Sequence, residues 1–166
     1  MPEYRVVIPE ERFRIVEFRQ EDLPGVGVIN ESLRAFEPKV VFGWHLSILL
    51  RFKDLVFNGM PSESDRELVG AWGDAAGAAA KGEDLEKPNA LFLARITWNA
   101  TRELIYRVCD PKPVDRYLTG VIDSKSYPRR FEYRMDHDPD WKLAKWHLSA
   151  GLPAAKPDIS VDGGGI

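Results

Sequence analysis

The chain reads as an α+β fold built on one antiparallel sheet, and three observations carry that reading. Residues 43–136 order as strand, helix, strand, strand, helix, strand. Both helical stretches carry an apolar stripe at helical spacing, and the strands between them alternate at period two. This order is the split βαβ arrangement of a ferredoxin-like sheet, with two helices on one face. A chain of 166 residues suits one domain with appendages. We divide it into an N-terminal strand extension (1–40), the ferredoxin-like α+β domain (41–149) and a flexible C-terminal tail rich in Pro, Gly and Ala (150–166).

In the extension, Val6 and Ile8, then Phe13 and Ile15, alternate with charged neighbours, so 4–8 and 12–19 read as short strands. Pro9-Glu10-Glu11 would close a hairpin between them. A further extended piece, Val26 to Ile29, follows the Pro24-Gly25 break. The first core strand is 43–52, with Leu46, Ile48, Leu50 and Phe52 inward and His45, Ser47 and Arg51 outward. Ser62 is an N-cap, and Asp65 three residues on makes a capping box. The helix runs to about Lys81, with Leu68, Trp72, Ala75 and Ala79 as its inner face. Gly70, Gly73 and Gly77 oppose helix there, at roughly 1 kcal/mol each relative to Ala.

Strands 90–98 and 102–109 follow around Trp98-Asn99-Ala100. A three-residue loop would pair Phe92 with Tyr106 and Arg95 with Glu103. A two-residue loop would set Ile96 against Glu103. Cross-strand pairing of like with like and of opposite charges favours the first, although Ala100 is a poor residue for a left-handed turn position. Pro111 and Pro113 open the second helix, whose stripe is Val114, Tyr117, Leu118, Val121 and Ile122. Strand 129–136 points Phe131, Tyr133 and Met135 inward and Arg130, Glu132 and Arg134 outward. Asp138 would cap a short last helix, with Pro139 in its first turn, through about Ser149.

Composition narrows the function classes. The net charge is −3 and the pI about 5.7, so nucleic acid is a disfavoured partner. Cys109 is the only cysteine, which removes intrachain disulfides and multi-thiolate metal sites and fits a reducing cytoplasm. No apolar leader and no run near ~18 apolar residues occurs, so neither secretion nor a membrane span is expected. Asp136-His137-Asp138-Pro139-Asp140 has alternating carboxylates, but Trp141 stands where a calcium loop needs Gly, and a capped helix start explains it better. Gly25-x-Gly27 lacks the third glycine of a dinucleotide site. Nothing near Cys109 would lower its pKa, so it reads as a buried or half-buried structural thiol. No catalytic, cofactor or metal residue is assigned.

The surface singled out is the sheet face away from the helices, carrying His45, Arg51, Arg95, Glu103, Arg107, Arg130 and Arg134. The aromatics Phe92, Tyr106, Phe131 and Tyr133 fall on the helix-covered face instead, which argues against an RNA-stacking sheet.

Gly59-Met60-Pro61, then Thr97 with Arg102-Glu103-Leu104-Ile105-Tyr106, then Asp138-Pro139-Asp140-Trp141 together resemble the bacterial "domain of unknown function 695" family over residues 24 to 148. Ala100 stands where that pattern would have glycine. The family has no established activity to carry over. It is similar in fold to the regulator B family that inhibits ribonuclease E, so the resemblance implies a non-enzymatic regulatory module. The expected partner is another protein, or a second copy of this chain. The alternative is a small-molecule-binding protein or enzyme with its pocket on the open sheet face.

Overall fold

A computed structural model describes residues 5–150. It is an α+β structure with a six-stranded antiparallel sheet in the order β1-β2-β4-β5-β3-β6. The strands are β1 (Phe13–Gln20), β2 (Leu23–Asn30), β3 (Trp44–Arg51), β4 (Ala90–Trp98), β5 (Thr101–Val108) and β6 (Phe131–His137). Helices α1 (Glu63–Lys81) and α2 (Pro111–Ser124) cover one face, and the short α3 (Lys145–Ser149) lies on the other. Among the described residues, no helix is long and apolar enough to cross a membrane.

The N-terminal pairing differs from expectation. Residues 5–12 form no strand, residue 4 lies outside the described residues, and Pro9-Glu10-Glu11 closes nothing. The hairpin is β1–β2, turning at Glu21 and Asp22, both at positive φ (52° and 63°). Two left-handed central residues make the tight turn whose twist matches a hairpin. Pro24 and Gly25, expected to break the chain, sit inside β2 opposite Arg19 and Phe18. The Phe18 ring occupies the space a side chain at Gly25 would need. β2 then pairs with β4, so the hairpin is continuous with the central sheet.

The three-residue loop expected between β4 and β5 does not form, although its Phe92–Tyr106 pair does. Asn99 and Ala100 form a two-residue turn with φ of 46° and 64°, setting Ile96 opposite Glu103. A bulge at Leu93 then shifts the pairing, so Phe92 meets Tyr106 as side-chain matching demands. Ala100 tolerates the left-handed position because the turn is buttressed. Its amide donates to the Gly59 carbonyl (2.8 Å), and its carbonyl accepts from the Phe52 amide (2.8 Å).

Helix α1 starts at Ser62, whose hydroxyl accepts the Asp65 amide at 3.1 Å. The reciprocal half of the box is absent. The buried Asp65 carboxylate instead accepts the Lys53 and Asp54 amides (2.8 and 3.2 Å) and pairs with Arg129. Burial pushes its pKa up, but those amides and Arg129 outweigh burial and hold it below the usual carboxylate range. The buried face of α1 is Val69, Gly73, Ala76, Gly77 and Ala80, not the expected Leu68 stripe; Leu68 is 43% exposed. Trp72 sits at the margin, 4.7 Å between ring centroids from Phe131. Gly73 and Gly77 turn to the sheet because Leu104 and Tyr106 rise beneath them. A Cβ at Gly73 would press on Leu104 Cδ1, and one at Gly77 would collide with the Tyr106 hydroxyl.

Helix α2 has Asp110 as its N-cap, accepting the Lys112 amide at 3.0 Å, with Pro111 in the first turn. Val114, Leu118 and Val121 are buried as expected, while Ile122 is 39% exposed. The two helices and the inward residues of β3, β5 and β6 enclose one core cluster, including Leu46, Ile48, Leu50, Val69, Val114 and Leu118.

A second core cluster lies on the opposite face, which was expected to be open. There the 3-10 turns Glu31–Ala35, Lys39–Phe42 and Lys142–Ala144, together with α3, pack over β2, β4 and β5. Its members include Ile29, Leu33, Phe36, Phe42, Leu93, Ile105 and Trp141. The last helix does not begin at Pro139. Asp138 caps the 3-10 turn instead, accepting the Lys142 and Leu143 amides at 3.0 and 2.9 Å.

Candidate functional site

The seven residues singled out from sequence do not form one surface. Arg107 is fully buried. Its Nε–H donates to the Phe42 carbonyl (3.3 Å), Nη1 to Asp138 Oδ2 (3.0 Å) and to His45 Nδ1 (3.0 Å), and Nη2 to the Asp138 carbonyl (2.6 Å). Its guanidinium also stacks 4.7 Å from the Trp141 ring. Arg107 therefore rivets the 138–144 segment to the sheet. His45 accepts from an obligate donor at Nδ1, so that nitrogen is the unprotonated one. Burial, then the Arg107 and His147 charges, push its pKa down to about 4, against the opposing pull of Asp138 and Asp136.

Arg95 is on the helix side, because the two-residue turn pairs it with Leu104 rather than Glu103. Arg51 and Arg134 are exposed and engaged with Glu132 and Asp136. Arg130 is exposed just before β6. Glu103 and Arg134 share a concavity on the back of the sheet with Leu49 and Glu132, where Glu103 is bonded by the Ser47 hydroxyl (2.5 Å). Cys109 is exposed rather than buried, and its thiol is pushed up by partial burial and by Asp110. Two of the three carboxylates of 136–140 are engaged within the protein: Asp138 by Arg107 and two amides, Asp136 by Arg134. Among the described residues, no group of three or more His, Cys, Asp or Glu side chains is arranged to hold a metal ion.

The better site is on the other face. Helices α1 and α2 lie over β3, β4, β5 and β6, so the helix side of the β1–β2 hairpin has no helix above it. Phe13 and Ile15 are 54% and 71% exposed there. Between this shelf and α1 runs a groove of about 540 Å³, floored by Leu104, Tyr106, Phe92 and Val28 and walled by Gly70, Gly73 and Gly77. That volume falls in the range of small-molecule sites, roughly 300–1,000 Å³. The lining is mostly apolar, with Arg95 and Arg102 among its polar members and Glu11, Asp74 and Lys81 also on it.

Arg102 is the unusual member. It is only 5% exposed, its Nε–H donates to Thr97 Oγ1 (3.1 Å), and it has no acidic partner among the described residues. Burial, then Arg95 and Arg66, pull its pKa down to about 10. Tyr106 also faces the groove; burial, with Asp74 and Glu11, pushes its hydroxyl up to about 12, so it stays a protonated donor. Sequence reading passed over Arg102 because it was weighed only as part of a motif. Its position two residues before Leu104 on the inward register of β5 was the available signal.

Comparison with protein-family models, curated proteins and solved structures returned no match.

Proposed function

We propose that this chain is a non-catalytic binding module whose ligand lies in the groove between α1 and the β1–β2 hairpin. The observation that carries the reading is the buried Arg102 guanidinium, without an acidic partner among the described residues, opening on an apolar concavity beside exposed Phe13 and Ile15. A buried charge is retained against its desolvation cost where something must meet it. Among the described residues the groove's lining contains no Ser, Cys or His; its titratable carboxylates and amine, Glu11, Asp74 and Lys81, stand with Tyr106, whose hydroxyl is pushed up to about 12. That favours binding over catalysis. The finer fold reading, a ferredoxin-like unit from β3 to β6, is supported by its four strands standing together in the order β6-β3-β5-β4.

A neutral solvatochromic dye such as Nile red tests the groove. Its emission should rise on binding the protein and be lost in Gly70→Leu, whose new side chain projects into open space with no neighbour within 4 Å. Equal emission from both proteins would refute the reading.

A protein partner is the second reading, and β1 favours it. β1 ends the sheet, so its outer backbone edge is unpaired among the described residues, with Phe13 and Ile15 exposed on the same strand. Such an edge accepts an added strand. A second copy of the chain is the simplest such partner. Sedimentation over a concentration series should then show a dimer that Ile15→Lys abolishes; a monomer throughout would exclude self-pairing.

A further inference from the structure

We propose that the groove takes a linear apolar molecule ending in a single carboxylate, with the carboxylate held by Arg102 and Arg95. This inference rests on the groove being the binding surface and adds the chemical class of its ligand.

Three features choose the class. Arg95 and Arg102 are diagonal neighbours across β4 and β5, since Arg95 pairs with Leu104 and Thr97 with Arg102. Diagonal side chains on one sheet face are within joint reach of a small anion. Only one of the two is buried, and the lining around them is mostly apolar. A dianionic phosphate would be poorly desolvated there, whereas a carboxylate matches the fork of one guanidinium.

The floor favours a small molecule over a peptide. β5 is paired on both sides, with β4 and with β3. Its backbone groups are already bonded, so the groove has no strand edge to hold peptide amides. Arg102, Leu104 and Tyr106 lie along one face of β5 and span roughly 14 Å. An apolar body leaving Arg102 would therefore run over Leu104 toward Phe92 and Tyr106.

The far end selects for one charge only. Asp74 and Glu11 lie near Tyr106, and their charge is felt at its hydroxyl. Lys81 reaches Glu11 at 3.9 Å but leaves Asp74 without a cation among the described residues. A second carboxylate arriving there would be repelled.

Displacement of Nile red by decanoate, decanol and decanedioate tests this, each used below its aggregation concentration. With the unaltered protein, decanoate should displace the dye roughly ten- to a hundredfold more tightly than decanol, as a charge-assisted bond predicts. Decanedioate should be weaker than decanoate. Arg102→Gln and Arg95→Gln, each checked for folding by circular dichroism, should bring the ratio of decanoate to decanol toward one. If the dye binds but decanoate and decanol displace it equally, the carboxylate assignment is overturned while the groove stands. If both Arg variants keep the preference, the assignment is also overturned. If the dye does not bind, or binds Gly70→Leu as well, the groove itself is refuted.

Discussion

The hydroxyl of Tyr106 occupies the space that a Cβ at Gly77 would need, whereas a Cβ at Gly70 would meet nothing within 4 Å. Two glycines of one helix, seven residues apart, therefore do different work. Gly77 lets α1 close over Tyr106, and Gly70 leaves the groove wall low. On helix propensity alone, either glycine changed to alanine should gain roughly 1 kcal/mol. We predict that Gly70→Ala raises the melting temperature and Gly77→Ala lowers it. Equal gains from both would mean that α1 does not press on Tyr106.

Arg102 should be dispensable for folding. A buried guanidinium without a counter-charge is unfavourable, and an apolar residue of similar shape removes that penalty. Against this stand one bond to Thr97 and a contact 5.3 Å from the Phe52 ring, each worth about 1 kcal/mol. Arg102→Met should thus be neutral or more stable in urea denaturation. A loss of more than about 2 kcal/mol would make Arg102 a structural residue instead.

Arg107 should behave oppositely. Its removal would leave Asp138 buried without its cation and free three carbonyl or ring acceptors. Arg107→Met should cost roughly 3–5 kcal/mol, in line with breaking one side of a buried pair. Denaturant midpoints of the two methionine variants separate the roles of two arginines on the same strand.

Stability should fall in mild acid through His45. Its folded pKa, about 4, lies below the ordinary value of 6.5. Above pH 6.5 it is neutral in both states and its contribution is complete. As pH falls from 6.5 to 4, the unfolded chain takes up the proton first, so stability is lost across that window. The shift corresponds to at most about 3.5 kcal/mol. His147 is likewise depressed by burial and acts in the same direction. His45→Gln should flatten the dependence of unfolding free energy on pH between 4 and 6.5; an unchanged slope would contradict the buried neutral histidine.

The sequence made β3, α2 and β6 legible because each has an apolar set at one clean period, and both the inward residues of β6 and the cap of α1 were found. The β1–β2 turn was missed because Glu21 and Asp22 carry no glycine, although both adopt positive φ. The face of α1 was set one residue off because glycines do not register as apolar, yet Gly73 and Gly77 are its closest approach to the sheet. The back face was expected to be open because its cover is made of 3-10 turns, whose short runs have no periodicity to read. Covering that face buried His45 and Arg107, while the two-residue turn moved Arg95 to the helix side. The candidate surface was thereby divided, and the groove could not be inferred without knowing that a hairpin extends the sheet beyond the two helices.

Mapping amide shifts during titration with the neutral dye addresses the groove most directly. Binding there predicts perturbations gathered at Val28, Gly70, Gly73, Leu104 and Tyr106, with Ser47 and Glu103 on the opposite face unmoved. Shifts confined to Ser47, Glu103 and their neighbours, or none at saturating dye, would contradict it.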